Sequence, residues 1–139
     1  MKSLIDSNII IYSLVPKSPY FKASRLLLKN EDELYVSIQN LIETFRVITS
    51  LKELSVPYTA FEAWLLINQF ITHINLLVPR EDTLLILQNL CYKYSIKSYQ
   101  IYDTFLVSVM MDYGIDRIYT NNDKDFKKFS EIKVINPFK

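Results

Sequence analysis

Glycine is almost missing from this chain: Gly114 stands alone among 139 residues. Gly-rich loops that bring backbone close to a phosphate need several glycines, so nucleotide sites of the Rossmann and P-loop kinds are excluded. Cysteine and histidine are equally scarce, at one each. Cys91 has no disulfide partner within the chain, and its place in an apolar helical pattern predicts a buried thiol. A lone His73 excludes multi-histidine zinc sites and argues against a Ser-His-Asp triad. Any metal here should be a hard cation held by oxygen. No uncharged apolar run approaches the roughly 20 residues that span a bilayer. Asp6 interrupts the first apolar run too early for a secretory signal, so the expected location is the cytoplasm, with no membrane partner. Charge of one sign is lacking too: 16 Lys and Arg oppose 15 Asp and Glu, for a net +1. Contact with a polyanion would need a local patch or a metal.

What is present is a balanced, hydrophobic chain, 50% apolar and 22% charged, as soluble globular proteins are. Its length fits one domain over residues 1–139, with no repeat and no linker. Short apolar runs alternate with helical patterns. Strands are predicted at Ser3–Ile5, Leu34–Ser37, Asn75–Val78, Arg117–Thr120 and Lys133–Ile135. Between them, Ile9–Tyr12 reads as a short helix capped by Ser7 or Asn8, with strand as the competing reading. Helices are predicted at Tyr20–Asn30, Ile38–Leu51, Glu81–Tyr94 and Tyr99–Tyr113, the last ended by Gly114. A further helix begins at Thr59, with Glu62 completing a capping box. Asp123–Phe129 is a short helical turn. All five prolines fall at boundaries between elements. The alternation predicts an α/β fold: a central parallel sheet of four to five strands with helices on both faces.

In such a sheet, ligands bind beyond the carboxyl ends of the strands. Asp6 directly follows the first strand, and Thr120 ends the fourth, with Asn121-Asn122-Asp123-Lys124-Asp125 after it. Glu43 and Asp103 lie on helices with an end at or near that edge, and each interrupts an apolar stripe. Each acid has an ordinary structural reading. Asp6 can cap a helix, Asp103 can complement a helix dipole, Glu43 can pair with Arg46, and Asp123 and Asp125 can be solvated loop charges. Together on one sheet edge they repel one another, and a divalent cation relieves that conflict.

The motifs in order resemble the PIN-domain family, and its VapC-like toxin ribonucleases in particular. Leu4-Ile5-Asp6-Ser7-Asn8-Ile9 is similar to the family's opening, and Asn40-Leu41-Ile42-Glu43-Thr44-Phe45-Arg46 to its glutamate helix. Tyr102-Asp103-Thr104-Phe105 resembles the third acidic motif. Tyr119-Thr120-Asn121-Asn122-Asp123-Lys124-Asp125-Phe126 resembles the closing one, and Val134-Ile135-Asn136-Pro137-Phe138 is an ending common among VapC-like members. The resemblance covers nearly the whole chain. It implies a PIN-like domain acting as an Mg²⁺- or Mn²⁺-dependent endoribonuclease, the toxin of a toxin–antitoxin pair. The partners it implies are RNA, a cognate antitoxin and a second copy in a homodimer. Asp6, Glu43, Asp103 and Asp125 are the implied catalytic acids, with Asp6 and Asp103 on the metal. Asn8, Thr120 and Asn122 would orient them. Many members carry Asp where this chain has Asn122. The fourth acid is then Asp125, or the site has three, and one or two metals remain open.

Two rivals have different signatures. A degenerate PIN-fold module would bind RNA or a protein without cleavage and should hold Mn²⁺ poorly. A phosphoacceptor receiver domain needs an Asp at the end of the third strand, where this chain has Val78-Pro79-Arg80.

Overall fold

Successive strand residues point to opposite faces of a sheet, and Leu4 and Ile5 are both fully buried. β1 (Ser3–Ile5) therefore belongs inside a sheet covered on both sides. The computed structural model, which describes residues 1–139, contains that sheet. After β1 come α1 (Ser7–Leu14), α2 (Phe21–Asn30), β2 (Leu34–Ser37), α3 (Ile38–Ile48), α4 (Ala60–Ile71) and β3 (Asn75–Leu77). Then follow α5 (Glu81–Tyr94), α6 (Gln100–Asp112), β4 (Arg117–Tyr119), α7 (Asp123–Phe126) and β5 (Lys133–Ile135). The strand order is β3-β2-β1-β4-β5, and every neighbouring pair is parallel.

Two apolar layers sandwich the sheet. Leu4 and Ile118 face one, with Leu90, Leu106, Met110 and Phe126 from α5, α6 and α7. Ile5, Val36 and Tyr119 face the other, with Ile10, Leu41, Ile48 and Ile67 from α1, α3 and α4. The chain winds one way from β1 to β2 and β3, then returns to lay β4 on the other side of β1. The crevice between β1 and β4 is the switch point where such sheets place ligands. Ile5 pairs with Tyr119 there, so Asp6 and Thr120 are the next residues on each strand.

The sequence reading places the elements to within a few residues, and several differences have clear causes. Asp6, the residue directly after β1, is itself the cap of α1, with extended backbone at φ −72° and ψ 158°. Its carboxylate accepts the Ser7 N–H at 2.8 Å, so neither Ser7 nor Asn8 caps the helix. α3 starts directly from β2 through a box in which Ser37 Oγ accepts the Gln39 N–H and Asn40 Oδ1 accepts the Ser37 N–H. It stops at Ile48 rather than Leu51, where Leu54 turns back onto the Ser50 carbonyl. The Thr59–Glu62 box on α4 forms as expected. Gly114 follows α6 at φ +70°, the left-handed conformation that glycine tolerates best. Cys91, on α5, is half-buried rather than buried.

Candidate active site

Asp6 is the centre of a hydrogen-bond network at the carboxyl end of β1, and only 6% of it is exposed. Its Oδ2 accepts from Thr120 Oγ1 at 2.7 Å and from Asn8 Nδ2 at 3.3 Å. Its Oδ1 takes the Ser7 N–H, with Asn40 Nδ2 at the longer distance of 3.5 Å. Burial pushes the Asp6 carboxyl up, and the charge of Glu43 adds to that; the bonds from Thr120 and Ser7 work the other way.

Thr120 is oriented by its other contacts. Its hydroxyl oxygen accepts the Asn122 backbone N–H at 2.9 Å and Asn8 Nδ2 at 3.3 Å. With both acceptor positions filled, its one proton is directed to Asp6. Asn8 is held in turn, since its Oδ1 accepts the Asn121 N–H at 3.1 Å. Asn122 thus contributes its backbone to the network, while its side chain is exposed and makes no cap bond to α7.

Glu43 reaches the same cluster from α3. Its carboxylate accepts the Ser7 hydroxyl at 2.7 Å, while Asp6 Oδ1 lies 3.4 Å from that hydroxyl. Ser7 has one proton to give, and the shorter contact takes it. Glu43 is therefore tied to α1 and not to Arg46.

Asp103 lies in the first turn of α6. Its carboxyl is pushed up to about 6, first by burial and then by the charges of Asp6, Asp125 and Glu43; Lys128 is the cation that opposes them. The four acids singled out from the sequence thus act on one another. Asp125, on α7, is exposed and enters the group through its field at Asp103. Asp123 leaves it. This residue is buried rather than solvated, bonded to Asn136 Nδ2 at 3.0 Å and paired with Lys127 and Lys139 at 3.3 Å each. Those partners, Asn136 foremost, hold its carboxyl far below the usual carboxylate range.

The donor set suits a hard divalent cation: carboxylate oxygens, one of them already destabilised by its neighbours' charge. No three of the acidic side chains are arranged to grip a single ion by themselves.

Sequence reasoning passed over three participants. Ser7 fits a helix cap in the sequence, and the structure instead sets it between Asp6 and Glu43, with its N–H on one and its hydroxyl on the other. Asn40 and Gln39 sit in a Ser-x-x-Asn start of α3 that was not singled out. Gln39 Nε2 donates to the Tyr102 carbonyl at 3.1 Å, across to the helix that carries Asp103.

Comparison with solved structures places the fold. A toxin–antitoxin complex from Klebsiella pneumoniae is similar at 17% identity and a TM-score of 0.69, over 98% of both chains. The Sarcin-Ricin loop cleaving toxin VapC20 of Mycobacterium tuberculosis matches at 13% identity and a TM-score of 0.71, over 94% of this chain and 98% of that one. VapBC-1 from nontypeable Haemophilus influenzae matches at 16% identity and a TM-score of 0.70, over 100% of both chains. No curated protein sequence matches the chain. The family model described as PIN domain matches residues 3–132, and the chain therefore belongs to the PIN-domain family.

Proposed function

We propose that the chain is a divalent-metal-dependent endoribonuclease that hydrolyses RNA phosphodiester bonds, and that it is the toxin of a type II toxin–antitoxin pair. The observation that carries this reading is the mutual repulsion at Asp103, where Asp6, Glu43 and Asp125 all raise its carboxyl. A folded protein keeps such a group together when a cation compensates it. Asp6 and Asp103 would hold Mg²⁺ or Mn²⁺. When bound, the ion offsets the charge of the scissile phosphate and acidifies water at neutral pH.

The protein's own groups do the positioning. Thr120 and Asn8 fix Oδ2 of Asp6 and the Ser7 N–H fixes Oδ1, so the carboxylate is held in one orientation. Glu43 and Asp125 orient the attacking water and accept its proton. Lys124 and Lys128 are exposed near these acids and suit RNA phosphates, as does Arg46 on α3. Lys127 is a poorer candidate, because Asp123 already engages it.

The partners follow from the surface and from the complexes that similar folds form. A largely apolar cavity of about 650 Å³ is lined by Ile11, Tyr12, Val15, Val56 and Tyr58, with Asn8, which bonds Asp6, also in its wall. We assign it to the antitoxin. The outer face of α4 exposes Phe61, Trp64 and Leu65 at 79%, 45% and 50%, and we assign that face to a homodimer contact. No helix is long and apolar enough to cross a membrane, and we place the protein in the cytoplasm.

The test is cleavage of structured RNAs with and without Mn²⁺, by the wild-type chain and by Asp6→Asn. Cleavage that needs Mn²⁺ and is lost in the variant is expected. Mn²⁺ binding without cleavage of any RNA would favour a binding module over a nuclease.

A further inference from the structure

Two aromatic rings stand in solvent where α6 begins. Tyr99 is 83% exposed and Tyr102 60%. Tyr99 is the cap residue of α6 and already has helical backbone, at φ −63° and ψ −18°. Helical spacing then sets Tyr99 beside Tyr102, three residues on, and beside Asp103, four residues on. Asp103 is where the charges of Asp6, Glu43 and Asp125 converge. The rings therefore stand at the margin of the carboxylate cluster. The backbone that presents them is fixed. Gln100 Oε1 accepts the Lys97 N–H at 3.0 Å and closes the turn ahead of the helix. Gln39 Nε2 donates to the Tyr102 carbonyl at 3.1 Å and ties the first turn to α3. A ring on a fixed backbone loses little freedom when a ligand lies on it.

The surroundings point to the kind of ligand. Lys97, Ser98 and Gln100, the neighbours of Tyr99 in the chain, are exposed and polar. An apolar protein interface would continue into aliphatic side chains, as the α4 face does at Leu65. A flat ring with open faces and cations nearby instead matches a nucleobase joined to phosphates. Lys97 is exposed two residues before Tyr99, and Lys128 lies close enough for its charge to act on Asp103. Base faces inside a duplex are covered by their neighbours, so only an unpaired base can lie on such a ring. We propose that Tyr99 and Tyr102 form a stacking platform for unpaired RNA bases beside the carboxylates, and that they set a preference for single-stranded segments. The inference rests on RNA being the substrate of this site, and it is independent of any metal.

The experiment measures binding of a short single-stranded RNA of mixed sequence, in chelator and at low salt. Two further probes are its fully paired duplex and the same strand made abasic, which keeps the phosphates. Wild type is compared with Tyr99→Leu, Tyr102→Leu, Tyr99→Phe and Tyr102→Phe. Wild type should bind the single strand more tightly than the duplex. Each leucine should weaken single-strand binding by about tenfold, as loss of a stacked base does. Each phenylalanine keeps the ring and should bind close to wild type. On the abasic strand, the leucine variants and wild type should bind alike. Both side chains are exposed, so the melting temperature should not move in any variant. Leucine variants that bind the single strand as wild type does would overturn the proposal and leave the RNA reading standing. So would a leucine loss of equal size on the abasic strand, which would mean a backbone contact, or a phenylalanine loss as large as leucine's, which would mean a contact through the hydroxyl. Wild type that binds strand and duplex equally would overturn the single-strand preference. Wild type that binds neither would remove the RNA reading itself and this inference with it.

Discussion

Replacing Asp103 by Asn should stabilise the metal-free protein. The folded carboxyl titrates at about 6, against 3.8 without its surroundings. The folded state therefore binds that proton more tightly than the unfolded chain does. Stability falls as pH rises through this window, and the penalty is complete above about pH 6. At about 1.4 kcal/mol per unit the shift corresponds to about 3 kcal/mol. Asp103 is only half-buried, and solvent screening reduces this to about 1–2 kcal/mol. Asparagine keeps the shape and carries no charge. In chelator at about pH 7.5 the variant should melt higher by about 3–8 °C for a domain of this size. At about pH 5 the folded wild-type carboxyl is mostly neutral, and the gain should fall to about half. Adding Mn²⁺ should reverse the order, because an ion at a hundredfold excess over its dissociation constant stabilises the wild type by about 2.7 kcal/mol. Scanning calorimetry at both pH values, with and without Mn²⁺, measures each quantity. A metal-free Asp103→Asn protein that melts lower than wild type at neutral pH would refute the argument that like charge is concentrated at this residue.

Three other perturbations test the remaining links. Thr120→Val nearly preserves volume but takes the 2.7 Å donor from buried Asp6; the expected cost is about 1–3 kcal/mol, read from the urea midpoint, with weaker Mn²⁺ binding. An unchanged midpoint would mean that water replaces the hydroxyl. Phe126→Ala removes a side chain only 1% exposed that anchors α7; a loss of about 3–5 kcal/mol is expected, with RNA cleavage falling in the surviving folded protein because Asp125 rides on the same helix. Sedimentation at micromolar concentration should show a dimer that Phe61→Glu dissociates; a wild-type monomer would exclude the α4 contact.

The fold was legible because its strands announce themselves. Leu4-Ile5, Leu34–Val36 and Ile118-Tyr119 are short apolar runs bounded by polar residues, as a sheet buried on both faces requires. Helix boundaries were less legible, because capping depends on backbone geometry. Nothing in Asp6-Ser7-Asn8 says which side chain closes the helix; the extended backbone at Asp6 decides it. The acidic residues could be assembled from their positions after strands and in helix first turns. Their supports could not. Ser7 donates to Glu43 across 36 residues and Asn8 to Thr120 across 112, and no local pattern encodes such pairs.

Asp123 and Asp125 show why carboxylates of one motif have different fates. Residues two apart on a helix do not share a face, so α7 cannot aim both at Asp103. Asp123 turns toward β5 and the segment after it, where Asn136, Lys127 and Lys139 surround it. Its bonds hold that segment near the Thr120–Asn122 turn, and Asn136 also bonds Asn121 Oδ1 at 3.2 Å. Asn121 in turn donates to Asn8, which bonds Asp6. Asp123 therefore acts on the site from a distance, by fixing the turn whose backbone orients Thr120. Asp125, with no such partners, keeps its charge available and raises Asp103. The exposed side chain at Asn122 leaves the cluster one charge lighter than an aspartate there would. With Lys128 as the opposing cation, that lower charge reduces the repulsion the fold must bear.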